Sequence, residues 1–164
     1  MDDIADAPRI ISDEAVNYSI VSRRGVVALH LALLVAIVGF TSWLGYIGFI
    51  ASDDGSYSEA AIGWLDHFPY VGINHWGLRH AVVLPVALSF WLGGISELTM
   101  MLPTKVYLLL LILLTYGCLS RLVERRTALL ASALVALTPL FILPSSPSDD
   151  LVECFFVVAS FWSF

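Results

Sequence analysis

Residues 25–52 read GVVALHLALLVAIVGFTSWLGYIGFIAS, a stretch without Asp, Glu, Lys or Arg that is followed at once by Asp53 and Asp54. A helix needs about 20 mostly apolar residues to cross the hydrocarbon core of a bilayer, so this stretch is long enough to be a transmembrane span. The composition agrees, because 59% of the residues are hydrophobic and only 13% are charged, against roughly 25% charged in soluble domains. The sequence therefore predicts an all-α, polytopic membrane protein.

Four segments are predicted to cross the membrane, namely residues 25–50, 98–120, 127–143 and 151–164. The last segment is still apolar at Phe164, so we expect the chain to be the N-terminal part of a longer protein. Residues 51–97 are predicted to form an outer loop that contains interfacial helices and no crossing. The acidic leader, residues 1–24, is expected to be a solvated tail.

Arginines near the ends of the predicted spans set the predicted orientation. One cluster precedes the first span and another lies in the turn after the second span; they comprise Arg23, Arg24, Arg121, Arg125 and Arg126. The positive-inside rule puts both clusters in the cytoplasm. The N-terminus is therefore expected in the cytoplasm, in a multi-pass protein.

Two apolar segments lie between the arginine clusters, at residues 81–94 and 98–120, although the orientation allows only one return crossing. The shorter segment contains Pro85 and is assigned to a helix in the outer interface. This assignment brings Asp53-Asp54 and the second acidic pair, Asp149-Asp150, to the same outer face. The two pairs are therefore predicted to form one site.

The outer loop carries apolar residues at helical spacing, which are Tyr57, Ala60, Ala61, Trp64, Leu65 and Phe68. Polar residues alternate with them, so we predict an amphipathic helix on the membrane surface. The expected polar lining of the site consists of Asp53, Asp54, Glu59, His67, Asn74, His75, Arg79 and His80.

Several short features follow one another along the chain. They are DDGSYSE at residues 53–59, HWGL at 75–78, SEL at 96–98 with Pro103, RLVERR at 121–126, TPLF at 138–141, and Asp150 with Phe155. This order resembles the N-terminal part of the GT-C glycosyltransferases of the protein O-mannosyltransferase and aminoarabinose-transferase type, including the bacterial Rgt-like lipopolysaccharide sugar transferases. The resemblance covers about residues 23–164.

The resemblance implies a GT-C type helical bundle with interfacial helices in the first outer loop. It also implies a hexosyl- or pentosyl-type transferase that moves a sugar, with inversion, from a polyprenyl-phosphate carrier to an acceptor hydroxyl of a lipid, glycan or protein. The partners would be the lipid-linked donor and membrane lipids. The net charge of −6 argues against a nucleic-acid partner.

Candidate roles follow from this chemistry. A hydroxyl is a weak nucleophile near neutral pH, so a carboxylate is expected to act as general base, with Asp53 preferred and Asp54 left open. Asp150 would orient the acceptor. The remaining contacts to substrate are expected from Tyr57, Glu59, His75, Arg79 and His80. Positive charge for the leaving phosphate would come from Arg79 or a histidine, or from a divalent metal cation held by Asp53, Asp150 and His75.

Two alternatives remain open at the level of sequence. The chain could be a membrane transporter or a non-catalytic membrane subunit, in which the acidic pairs bind a cation or a polar solute. It could also be an inactive, truncated transferase. The sequence contains no Gly-rich phosphate loop, no Gly-x-Ser-x-Gly and no His-Glu-x-x-His, so nucleotide hydrolysis, serine hydrolysis and zinc proteolysis have no support.

Overall fold

The computed structural model describes residues 10–46, 48, 53–139 and 147–163, and it describes side chains from residue 24 onward. Over these residues the chain is all-helical, with six helices and no strand. In chain order the helices are α1 (Ile10–Leu44), α2 (Asp53–Asp66), α3 (His80–Gly93), α4 (Glu97–Leu122), α5 (Arg125–Ala136) and α6 (Asp149–Trp162). The predicted all-α class is confirmed.

Two helical segments are long and apolar enough to cross a membrane, namely α4 and the part of α1 from Arg24 to Leu44. They agree with the predicted membrane association. α1 begins at Ile10, inside the segment that the sequence predicts to be a tail, and it ends before residue 50. Glycines follow its end, and Gly48 has a φ of 78°, a conformation that glycine adopts without strain.

α5 and α6 cover parts of the third and fourth predicted spans. They contain 12 and 14 residues, or about 18 and 21 Å at ~1.5 Å per residue. These lengths are shorter than the hydrocarbon core of about 30 Å. The remaining parts of the predicted leader, spans and loop lie outside the described residues; they are residues 1–9, 47, 49–52, 140–143 and 164.

The chain divides into two units at the boundary between Leu33 and Leu34, within α1. The first unit contains the N-terminal part of α1. The second contains the remainder of α1, where Leu34, Val38 and Thr41 are buried, together with α2 to α6. All of the site described below belongs to the second unit.

α3 is the central helix of the second unit and contacts α2, α4 and α6. Its buried residues form one cluster with the apolar face of α2; the members are Tyr57, Ala60, Ala61, Val82, Val83, Val86, Ala87, Phe90, Met100 and Val152. The predicted amphipathic helix is therefore present, but its apolar face packs on α3 instead of facing a bilayer. Leu65 and Phe68, at the end of that predicted face, are exposed.

α3 and α4 form a helical hairpin joined by Gly94, Ile95 and Ser96. Ser96 caps α4, because its hydroxyl accepts from the backbone N–H of Thr99 while the Thr99 hydroxyl accepts from the Ser96 N–H. Pro85 in α3 lacks an N–H and therefore leaves the carbonyl of Ala81 without its helical donor. The hydroxyl of Tyr107 on α4 donates to that carbonyl at 3.0 Å, so a side chain replaces the lost bond.

α6 packs on α4 in parallel. Near its middle, the ring of Phe155 lies 5.3 Å from that of Tyr107. Near its end, Trp162 covers Gly117 and accepts the Arg121 guanidinium over its ring at 3.7 Å. Asp149 and Trp162 are therefore about 20 Å apart along α6 at ~1.5 Å per residue, with Arg121 at the end remote from Asp149.

Candidate functional site

Arg79 is the centre of a polar cluster that joins three helices. Its Nη1 atom donates to the hydroxyl of Tyr57 at 2.6 Å and lies 2.7 Å from Oδ2 of Asp149. Tyr57 belongs to α2, Arg79 directly precedes α3, and Asp149 is the first residue of α6. Residues far apart in the sequence thus meet at one guanidinium. The name Arg79 cluster is used below for these three residues together with Asp53.

Local structure explains how each group reaches the cluster. The N–H of Arg79 donates to the carbonyl of Trp76 at 3.1 Å, and its own carbonyl accepts from Val82, so its backbone is fixed at the start of α3. Ser148 caps α6 by accepting from the N–H of Leu151 at 3.3 Å. The first turn of α6, and with it the carboxylate of Asp149, is thereby ordered.

Burial differs among the members of the cluster. Tyr57 is 1% exposed, whereas the side chains of Arg79 and Asp149 are 38% and 27% exposed. The ion pair is therefore in contact with solvent, and pairs of this kind stabilise a fold by only about 0–1 kcal/mol. Its importance lies in the position that it gives to Arg79.

The electrostatics of the cluster are dominated by Tyr57 and Arg79. Burial raises the pKa of the Tyr57 phenol above its ordinary value of 10.0, and the hydrogen bond with Arg79 opposes part of that increase. The same hydrogen bond raises the pKa of Arg79, and the charges of Asp149 and Asp53 add to this effect. Asp53 is thus close enough for its charge to act on both groups.

The two acidic pairs lie at the N-termini of α2 and α6, where helix dipoles favour negative charge. Asp53 is exposed, while Asp54 is 3% exposed and belongs to the buried face of α2. Asp149 contacts Arg79, whereas its neighbour Asp150 is exposed. One member of each acidic pair, Asp53 and Asp149, acts through its charge on both Tyr57 and Arg79. The sequence singled out Asp150, so it missed the carboxylate that makes the contact.

The other predicted contacts lie outside the cluster. Glu59 is exposed on α2, beside the connection to α3. His75 stacks on Trp76 with ring centroids 3.6 Å apart, and His80 meets the ring of Trp64 edge-on at 5.6 Å. Both histidines therefore pack against aromatic rings.

The described residues contain no group of three or more His, Cys, Asp or Glu side chains arranged to hold a metal ion. Asp53, Asp150 and His75 are all described, so these three predicted ligands do not come together as one site. The positive charge within the cluster comes from Arg79.

An apolar cavity of about 480 Å³ lies between α3 and α4. Leu88, Leu92, Leu102 and Val106 are among its lining residues, and Ser89 contributes a buried hydroxyl that has no hydrogen-bond partner among the described residues. The cavity does not include the Arg79 cluster, but it is lined by Tyr107, which bonds to Ala81, two residues after Arg79.

Comparison with known proteins found no match, since no protein-family model, no curated protein and no solved structure matches the chain.

Proposed function

We propose that this chain is the N-terminal part of an integral-membrane glycosyltransferase of the GT-C type. In this proposal it transfers a sugar from a polyprenyl phosphate to an acceptor hydroxyl. The observation that carries the proposal is the contact of Arg79 with Tyr57 and Asp149, with Asp53 nearby. A cation fixed beside an exposed carboxylate supplies the two groups that such a transfer requires.

The reaction assigns a role to each member of the cluster. Asp53 removes the proton of the acceptor hydroxyl as its oxygen forms a bond to the anomeric carbon. The bond from that carbon to the phosphate oxygen breaks at the same time, and its electrons leave with the phosphate. Arg79 neutralises the charge of the leaving phosphate. Asp149 and Tyr57 position Arg79 from either side.

Accessibility favours Asp53 over Asp54 as the base. Asp53 is exposed and can meet an acceptor from solution, whereas Asp54 is buried on the face of α2 that packs on α3. A general base must come within hydrogen-bond reach of the proton that it removes, which the buried position makes difficult. Asp54 is assigned the role of holding the start of α2.

The apolar cavity supports a lipid-linked donor. It is almost entirely hydrocarbon-lined, and its lining includes Pro85 on α3, the helix that Arg79 directly precedes. Ligand cavities typically have volumes of about 300–1,000 Å³, with apolar walls and few polar groups. The isoprenoid part nearest the phosphate would occupy this cavity while the phosphate meets Arg79.

We place the cluster at the outer face of the bacterial inner membrane, in a multi-pass protein with a cytoplasmic N-terminus. Arg121 is at the opposite end of α6 from Asp149, which supports this orientation because arginines favour the cytoplasmic side. If α4 crosses the bilayer, the cluster and Arg121 therefore face different compartments.

The test is sugar transfer by the product of the complete reading frame, reconstituted in liposomes with radiolabelled polyprenyl-phosphate sugars. Asp53→Asn is expected to lower the turnover by about 10²–10⁴-fold, the usual contribution of a general base. Asp66→Asn is the matched control, because Asp66 is exposed at the other end of α2. Arg79→Gln should also inactivate the protein, whereas Arg79→Lys should retain part of the activity.

Wild-type turnover in the Asp53→Asn protein would refute the assignment of the base. A folded wild-type protein that transfers none of the common sugars, but moves a cation or a solute across the liposome membrane, would replace the transferase with the transporter.

A further inference from the structure

The connection between α2 and α3 presents apolar side chains to the outside. We call residues 67–78 the apolar loop. Phe68 is 84% exposed, Val71 76%, Ile73 81% and Leu78 54%. Single exposed apolar residues are ordinary, but four of them on one short loop form a patch of the kind that marks an interaction surface.

The apolar loop is held in this conformation by close contacts. A Cβ atom at Gly63 would lie 2.6 Å from the ring of Tyr70, and one at Gly72 would lie 2.6 Å from the backbone of Gly77. The N–H of Gly77 donates to Oδ1 of Asn74 at 2.9 Å. The loop is therefore packed against α2 on its inner side, and the outward direction of its apolar side chains is fixed.

The lack of charged residues in the apolar loop limits the kinds of partner that the loop can bind. No Asp, Glu, Lys or Arg occurs from position 67 to position 78, and the flanking charges are Asp66 and Arg79. A patch without charge cannot steer a charged protein or attract anionic headgroups. Tyr70 and Trp76, which the loop also contains, pack inward against the core, so the side chains left facing outward are Phe68, Val71, Ile73 and Leu78.

We propose that the apolar loop inserts into the boundary between headgroups and acyl chains of the bilayer that α1 and α4 cross. The chain itself favours this partner, because two span-length helices flank the segment that contains the loop. The bilayer is thus always within reach of the loop. The absence of charge predicts that insertion is independent of anionic lipid.

Insertion would have a direct effect on the Arg79 cluster. Leu78 precedes Arg79, and the carbonyl of Trp76 accepts from the Arg79 N–H at 3.1 Å. A loop anchored in the lipid boundary therefore holds Arg79 at the depth of headgroup phosphates. This inference does not depend on the transferase proposal, since it concerns the position of the loop and not the reaction.

The experiment places a fluorescent label at single cysteines in the complete chain, in nanodiscs of zwitterionic phosphatidylcholine. Val71→Cys and Ile73→Cys report on the loop, and Glu59→Cys and Asp66→Cys are exposed controls on α2. The background is C118A/C154A. If that protein does not fold, the labelled parent with both native cysteines provides the background to subtract. Quenching by spin-labelled acyl chains is compared with quenching by iodide in water.

Insertion predicts that labels at positions 71 and 73 are quenched several-fold more by the lipid probe than the controls are, and less by iodide. The ratio should not change when a third of the lipid is replaced by phosphatidylglycerol. Iodide quenching equal to that of the controls would overturn the proposal. Protection from both quenchers would also overturn it, since it would mean that protein, either a second copy or another part of the chain, covers the loop.

Discussion

The Nη1 atom of Arg79 lies 2.7 Å from Oδ2 of Asp149, and the same nitrogen donates to the hydroxyl of Tyr57. One nitrogen therefore serves two partners that come from different helices. If either partner moves, the geometry at the other changes as well. The position of Arg79 thus depends on the packing of both α2 and α6, and this dependence leads to the first two predictions.

The cap of α6 should control the Arg79 cluster. Ser148→Ala removes the hydroxyl that accepts from Leu151, which should cost about 1 kcal/mol of stability and loosen the first turn that carries Asp149. Chemical denaturation in detergent measures the loss. Ser160→Ala, on an exposed position of the same helix, is the control. An unchanged free energy of unfolding in the Ser148→Ala protein would show that the cap does not order this turn.

Alkaline pH should destabilise the protein through Tyr57. Its pKa is raised in the folded state, so its contribution to stability is complete below pH 10.0 and is lost as the pH rises through the higher folded value. The midpoint of thermal unfolding should therefore fall as the pH rises above about 10, the ordinary pKa of a tyrosine. In Tyr57→Phe the fall should be smaller, because the group that titrates is absent. An equal fall in both proteins would assign the effect to other groups.

Tyr57→Phe should also be less stable near neutral pH, by about 1 kcal/mol, because it removes a hydrogen bond while the ring remains in place. Tyr70→Phe is the matched control, since among the described residues the Tyr70 hydroxyl makes no hydrogen bond that would be lost. Equal stability of the two variants would indicate that water replaces the Tyr57 hydroxyl at Arg79 without cost.

The contact between Gly63 and Tyr70 should tolerate no side chain at position 63. A Cβ there would lie 2.6 Å from the ring, so Gly63→Ala should cost about 1–3 kcal/mol through overpacking. Gly55→Ala in the same helix has open space around the new atom and should be neutral or stabilising by up to about 1 kcal/mol. Thermal unfolding of the two variants compares them directly. A stabilised Gly63→Ala protein would mean that Tyr70 moves away easily.

The contact between Gly117 and Trp162 predicts that a second substitution restores part of the stability lost in Gly117→Ala. Gly117→Ala places a Cβ 2.6 Å from the indole, which should destabilise the pairing of α4 with α6 by about 1–3 kcal/mol. Adding Trp162→Leu should recover part of this loss, and the double-mutant cycle measures the coupling. Gly39→Ala on α1 has no atom in the way and serves as control. Additive effects of the two substitutions would contradict the contact.

The sequence predicted the position of a residue where only one kind of environment suits its residue type. Tyr57 occurs on the apolar face of a predicted helix and Arg79 directly precedes an apolar run. The sequence predicted both as contacts to substrate, and the structure brings the two residues into contact with each other. The choice between Asp149 and Asp150 could not be made in this way. Successive residues of a helix point about 100° apart, and only the packing of Val152 in the core turns Asp149 toward Arg79.

Tertiary packing also determined two features that local patterns do not contain. The apolar face of α2 is equally suited to lipid or to protein, and only the position of α3 shows that it packs on protein. The contact between the backbones of Gly72 and Gly77 depends on the path of the whole connection between α2 and α3. Glycines allow many backbone conformations, so their presence in the sequence does not predict which path the connection takes.

The N-to-C order of synthesis determines when the ion pair between Arg79 and Asp149 can form. α2, α3 and most of their shared core are complete once α3 has emerged, whereas Asp149 is encoded roughly 70 residues after Arg79. At ~5–20 residues per second this interval lasts about 4–14 s. During that time the carboxylate of α6 does not yet exist. The contact of Arg79 with Asp149 is therefore a late event in biogenesis, because it forms only after the chain has been synthesised as far as Asp149.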